Sequence, residues 1–174
     1  MNILFSNSIR FVLLILTQAM ILNNLEIGFG IYVMIYPLFI MMLPYQMKPV
    51  PLMLLAFLCG FFLDSLSNTY GLHASSAVMM AFFRPYIFRR FSPRDGYDNI
   101  ENINIYSMGR GWFTLVYGSL LLIHHSWFFS IESFKWNEFG WIILKIAFSV
   151  PLSFLLSILL QAIFMFNTKN NATR

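Results

Sequence analysis

Asp64, His73, Arg84, His124, His125 and Lys145 are the side chains able to hold a proton, an ion or a charged partner, and each lies in or beside an apolar run. Ionisable groups are costly in hydrocarbon, so each needs a specific partner. Catalysis is the use they fit least. No H-E-x-x-H zinc pair and no G-x-S-x-G elbow occurs, and no two carboxylates stand together within the apolar runs. His124 and His125 are adjacent, so on a helix they point about 100° apart, a poor geometry for two ligands of one metal. Neither a metal nor a cofactor is expected. The single Cys59 sits in an apolar run and reads as a buried core residue without a disulfide partner. Two other uses compete: buried charges that fix helix register, and a small-molecule pocket open to the outside.

The elements that position these residues are apolar. The chain has 174 residues, of which 59% are hydrophobic and 10% charged, whereas a soluble domain carries about 25% charged residues. Mean hydropathy is +0.70. This composition belongs to an integral membrane protein. Hydropathy predicts a single all-α domain of six transmembrane helices, over 8–23, 29–43, 50–66, 72–91, 111–131 and 139–166. The first has Arg10 beside it and reads as an uncleaved helix, with no small-x-small cleavage site after it. Pro37 falls inside the second, which is short. The sixth exceeds the ~20 residues that span a bilayer, so it should tilt, bend at Pro151 or protrude.

Lys and Arg give the orientation. Arg10, Lys48, Arg89, Arg90, Arg94, Arg110, Lys169 and Arg174 fall on one side, and the opposite connections hold only Lys135. The positive-inside rule then places both termini and the 92–110 loop in the cytoplasm. That loop is rich in turn formers and mixes acids with its arginines, so it reads as a solvated connector or a docking loop rather than a lipid-binding tract. This topology gathers Asp64, His73, His124, His125 and Lys145 in the outer half of the membrane, and Asp64 is expected to pair with Lys145 or a histidine. Arg84 is expected to snorkel towards the cytoplasmic headgroups near Arg89 and Arg90.

Spacing adds two expectations. Ala56, Gly60 and Asp64 recur at every fourth position, as do Ala77 and Ala81; small residues so spaced let a neighbouring backbone approach. Lys145, Ser149, Ser153, Ser157 and Gln161 form a polar row on the last span. Lipid offers hydroxyls and amides no partners, so the row should face the bundle.

The chain resembles the MreD family of bacterial rod-shape-determining membrane proteins. The resemblance rests on Gly60 and Asp64 in the third span, the turn residue Gly71, and the small residues from Ala74 to Ala77. The strings Gly71-Leu72-His73-Ala74, Phe83-Arg84-Pro85 and Ser92-Pro93-Arg94-Asp95-Gly96-Tyr97 look like the Bacteroidetes-type branch. The resemblance implies a non-enzymatic scaffold of the cell-elongation complex in the bacterial inner membrane. It would bind an MreC-like protein and, through it, couple the MreB cytoskeleton to peptidoglycan synthesis by a RodA-type polymerase and a class B penicillin-binding protein. Nucleic acid is not an expected partner. The family is similar in architecture to the substrate-binding subunits of energy-coupling-factor vitamin transporters, which are the alternative reading. Those subunits dock through small residues on their first helix, where this chain has only Ala19.

Overall fold

The computed structural model describes residues 3–25, 28, 30–94, 96–97, 103–133 and 139–172. The expected outer connection around Lys135, the expected start of the second span at residue 29, Glu26 and Ile27, and Asp95 with residues 98–102 of the 92–110 loop lie outside these. Among the described residues the chain is helical, without a strand. It runs through α1 (Ile3–Met20), a short 3-10 turn (Leu22–Asn24), α2 (Pro37–Met42), α3 (Pro49–Ser67), α4 (Leu72–Arg90), α5 (Ile105–Met108), α6 (Arg110–Ser133) and α7 (Phe139–Ala172). Three stretches are long and apolar enough to cross a membrane: Pro49–Ser67, Arg110–Ser133 and Phe139–Ile163. A shorter apolar stretch covers Phe11–Asn24. The fourth expected span forms as α4, but its charges, Arg84, Arg89 and Arg90, dilute its hydropathy. Proline opens α2 and α3, where its fixed φ suits the first helical turn and its missing N–H is not needed. The helix α7 continues through Pro151.

The second expected span is not one helix. Residues 31–35 are non-helical, and α2 follows for only six residues. This stretch is nevertheless the most enclosed part of the molecule: Met34, Ile35, Tyr36, Leu38, Ile40 and Met41 are fully buried. Apolar composition alone could not separate a helix from a threaded segment, because both bury the same side chains. What allows the non-helical form is a supply of polar side chains for its backbone. Non-helical backbone at membrane depth is tolerated only where protein or water satisfies it. On one side, Tyr32 N–H donates to Ser149 Oγ at 3.2 Å and Met34 N–H donates to Ser153 Oγ at 2.9 Å. On the other, the Gln18 amide donates to Val33 O at 3.0 Å and accepts from Ile35 N at 2.7 Å. Partners alternate between α7 and α1, as they do along a strand. Each buried group left without a partner would cost about 1–3 kcal/mol. Four of the five residues of the polar row on α7 therefore face inward, with Ser149, Ser153, Ser157 and Gln161 all fully buried, whereas the first, Lys145, is partly exposed.

The helices α3 and α4 form the tightest pair. A Cβ on Gly60 would overlap the backbone of His73 and Ala74, so only glycine permits this approach. The turn between the two helices uses left-handed residues, Asn68 at φ 53° and Gly71 at φ 87°. Asn tolerates that region and Gly enters it without strain.

Candidate functional site

Asp64 sits where the α3–α4 turn closes. The residue at the start of α4 is Gly71, which has no side chain to cap the helix. Asp64 reaches across from α3 and does so instead. Its carboxylate accepts from His73 N at 3.0 Å, from Ala74 N at 2.9 Å and from the Thr69 hydroxyl at 2.7 Å. Free N–H groups and the dipole at a helix N-terminus favour an anion there. The expected pairing of Asp64 with Lys145 or a histidine side chain is therefore replaced by a cap. Backbone donors nine and ten residues along the chain are nearer than any cation. Lys145 pairs with Glu132 at the end of α6, 3.0 Å away, and both side chains are partly exposed. Its ammonium also lies 5.5 Å from the Phe129 ring centre. Glu132 was missed because the sequence places it at the edge of a loop, outside the apolar span.

The histidines do converge, around a residue that the sequence did not single out. Tyr36 is fully buried, and its hydroxyl lies 2.5 Å from His124 Nε2, 3.3 Å from His73 Nδ1 and 3.4 Å from His73 O. It ties the end of the threaded segment to α4 and α6. His125 Nδ1 donates to Leu121 O at 2.9 Å, since a carbonyl only accepts. Its Nε2 then accepts from the Ser153 hydroxyl, 3.2 Å away. The Ser157 hydroxyl bonds Ser153 O at 2.7 Å and lies 2.9 Å from the Tyr117 hydroxyl. His124 Nδ1 is buried without a hydrogen-bond partner. Nothing in the pattern around Tyr36 marks it in advance; its role comes only from the threading of its segment.

Arg84 is 2% exposed and does not snorkel. Its Nη2 donates to Met41 O at 3.3 Å and to Leu43 O, and the guanidinium carbon lies 4.5 Å from the Phe88 ring centre. The physical reason is that α2 ends inside the bundle, so its last carbonyls need a buried donor. An arginine one helix away supplies it.

The described parts of the 92–110 loop are partly packed: Tyr97, Ile103, Asn104 and Ile105 are buried, whereas Ser92, Arg94 and Tyr106 are exposed. The Tyr97 hydroxyl donates to Phe88 O at 2.8 Å and the Trp112 indole donates to Phe91 O at 2.6 Å, so both cap the end of α4. Burial pushes the Tyr97 phenol up to about 12, against a partial opposing pull from the neighbouring Trp112 indole. Ile105 N donates to Gln161 Oε1 at 3.0 Å, which pins the second half of the loop to α7. A cleft of about 420 Å³ lies elsewhere, lined by Ile31, Trp141, Leu144, Lys145 and Phe148. Of the expected site residues only Lys145 reaches it. Among the described residues, no group of three or more His, Cys, Asp or Glu side chains is arranged to hold a metal.

No family model matches this chain, and no curated protein or solved structure matches it.

Proposed function

We propose that this chain is a non-enzymatic membrane scaffold of the MreD type. In this reading it holds an MreC-like partner in the bacterial inner membrane. Through that partner it couples MreB filaments to wall synthesis by a RodA-type polymerase and a class B penicillin-binding protein. One observation carries the reading. The residues behind the family resemblance, Gly60, Asp64, Gly71 and Ala74, are the ones that weld α3 to α4. Glycine is required at 60 by the close approach and favoured at 71 by its positive φ, and Asp64 holds the first turn of α4 through the Ala74 amide, which gives the close-packed hairpin that a docking scaffold would use. The polar side chains at the centre support the same reading, because they are bonded to the chain's own backbone and to each other.

The scaffold reading has the chain crossing the membrane six times with both termini in the cytoplasm. The second crossing would be made jointly by residues 31–35 and α2. Five extended residues span up to about 17 Å, and six helical residues add about 9 Å. The sum approaches the ~30 Å hydrocarbon core.

The test is isolation from native membranes in mild detergent, followed by mass spectrometry of proteins and small molecules. Recovery of an MreC-like protein is expected, together with loss of rod shape when the gene is deleted. A stoichiometric vitamin-like molecule recovered with ATPase subunits would instead make the chain a transporter's substrate-binding subunit. Unaltered cell shape and partner assembly after deletion would overturn the scaffold.

A further inference from the structure

The threaded segment leaves a gap beside α7. A helix fills a cylinder about 10–12 Å across, and the non-helical residues 31–35 do not. The result is the cleft of about 420 Å³ between Ile31 and one stripe of α7: Trp141, Leu144, Lys145 and Phe148. Its walls are almost wholly apolar, and Trp141, Leu144 and Phe148 are each about half exposed. One turn of a partner helix, about 5.4 Å of a cylinder about 10 Å across, would already fill this volume. The stripe runs about 10 Å along α7, a path that a narrower hydrocarbon chain can follow.

Lys145 brings charge of both signs to the cleft. Its stem passes Gly30 so closely that a Cβ there would lie 2.6 Å from Lys145 Cε. The stem lines the cleft, and the ammonium reaches Glu132 near the end of α6, 3.0 Å away. An ammonium has three donors and a carboxylate two acceptor oxygens; the bond between them uses one of each. Both side chains also keep an open surface, 20% for Lys145 and 23% for Glu132. The pair has no net charge, so it offers a partner for an anion and a partner for a cation side by side. A lone phosphate would meet Lys145 but be repelled by Glu132, whereas a headgroup with a phosphate and an ammonium satisfies both. The depth agrees. Lys145 lies about 9 Å along α7 from Phe139, close to the boundary between headgroups and hydrocarbon at that end of the bundle. Trp141, about one turn nearer the end, is of the residue type enriched at headgroup level.

We propose that this cleft binds one phosphatidylethanolamine molecule, with an acyl chain against Leu144 and Phe148, its phosphate at Lys145 and its ammonium at Glu132. The primary ammonium matters, because its N–H groups donate to the carboxylate and a quaternary ammonium has none to give. The site requires only that the chain lies in a membrane, so it stands apart from the choice between scaffold and transporter subunit.

The experiment is native mass spectrometry of the full chain in detergent, titrated with phosphatidylethanolamine, phosphatidylcholine and phosphatidylglycerol of identical acyl chains. One phosphatidylethanolamine should be retained per chain, preferred about fivefold over the other two, as one partly exposed charge contact allows. Glu132→Gln should abolish this preference and turn it towards phosphatidylglycerol, because Lys145 then faces the phosphate without a competing carboxylate. Leu144→Trp should weaken all three lipids alike by filling the cleft. If a variant does not fold, the unaltered protein in nanodiscs decides, using phosphatidylethanolamine with a photoreactive diazirine on one acyl chain. Crosslinks should concentrate on the peptide holding residues 141–148, and unlabelled phosphatidylethanolamine should suppress them better than phosphatidylcholine. Equal retention of the three lipids, a preference unchanged by Glu132→Gln, or crosslinks spread equally over α1 and α3 would overturn the site. Crosslinking of residues 141–148 to a protein partner in place of lipid would overturn it as well and give the cleft to a partner helix.

Discussion

Single residues in this bundle act mainly as caps for backbone that other residues leave open. Asp64 is the plainest case, because it substitutes for the side chain that Gly71 lacks. Asp64→Leu strands two amide protons and the Thr69 hydroxyl, and should cost about 2–3 kcal/mol. Asp64→Asn retains an acceptor and should cost about 1 kcal/mol, in the range of a weakened helix cap. Thermal unfolding of the detergent-solubilised protein measures both, and equal midpoints for the two variants would refute the cap. Tyr97 gives a pH dependence of definite sign. Its phenol is raised to about 12 in the fold, against about 10 in an unfolded chain. Its contribution is therefore complete below about pH 10 and is lost as pH rises towards 12. Tyr97→Phe should remove that alkaline loss, as read by Trp112 fluorescence across the pH range. An unchanged alkaline profile in the variant would show that another group is responsible.

Elements meet where a small residue or a long donor allows it. Gly60 lets α3 lie against the first turn of α4. Gly60→Ala must push two backbones apart, and overpacking of this sort costs about 1–3 kcal/mol. The melting temperature should fall. The same change at Gly118, where a Cβ meets nothing within 4 Å, should be harmless or slightly stabilising. Equal effects at the two sites would remove the close-approach argument. Arg84 serves α2 as Asp64 serves α4, but with the opposite sign of charge. Arg84→Met keeps the packing on Phe88 and deletes the donor to Met41 O and Leu43 O. It should loosen the 37–43 stretch, seen as faster amide exchange there with α6 unaffected. Arg84→Lys should rescue this only in part, because an ammonium lacks the planar fork. Full rescue by Lys would mean that charge alone suffices.

For the molecule as a whole, the proposed topology fixes the side of the membrane on which each connection lies. Six crossings with the basic loops inside predict that reporters fused after residue 48, after residue 110 and at the C-terminus all report cytoplasm. A reporter in the turn at Tyr70, which is fully exposed, should report the opposite side. Opposite locations for the C-terminus and residue 110 would reduce the number of crossings and unseat the proposed topology.

Composition, the charges in the connections and the spacing of small and polar residues were enough to establish an apolar helical bundle. They also gave the ends of the helices α3, α4 and α6 to within a few residues, and the inward face of the Ser149–Gln161 row. These are local properties: hydropathy sets which residues avoid water, and a helical period sets which share a face. The partners of Asp64, Arg84 and Lys145 were not legible, nor was the central place of Tyr36. Each depends on which backbone ends are left open after the helices pack, and that is decided between segments far apart in the chain. The non-helical form of residues 31–35 is the sharpest example. Its own sequence is as apolar as a helix would be, and only Gln18, Ser149 and Ser153, brought in from both ends of the chain, allow its amides to leave water in that form.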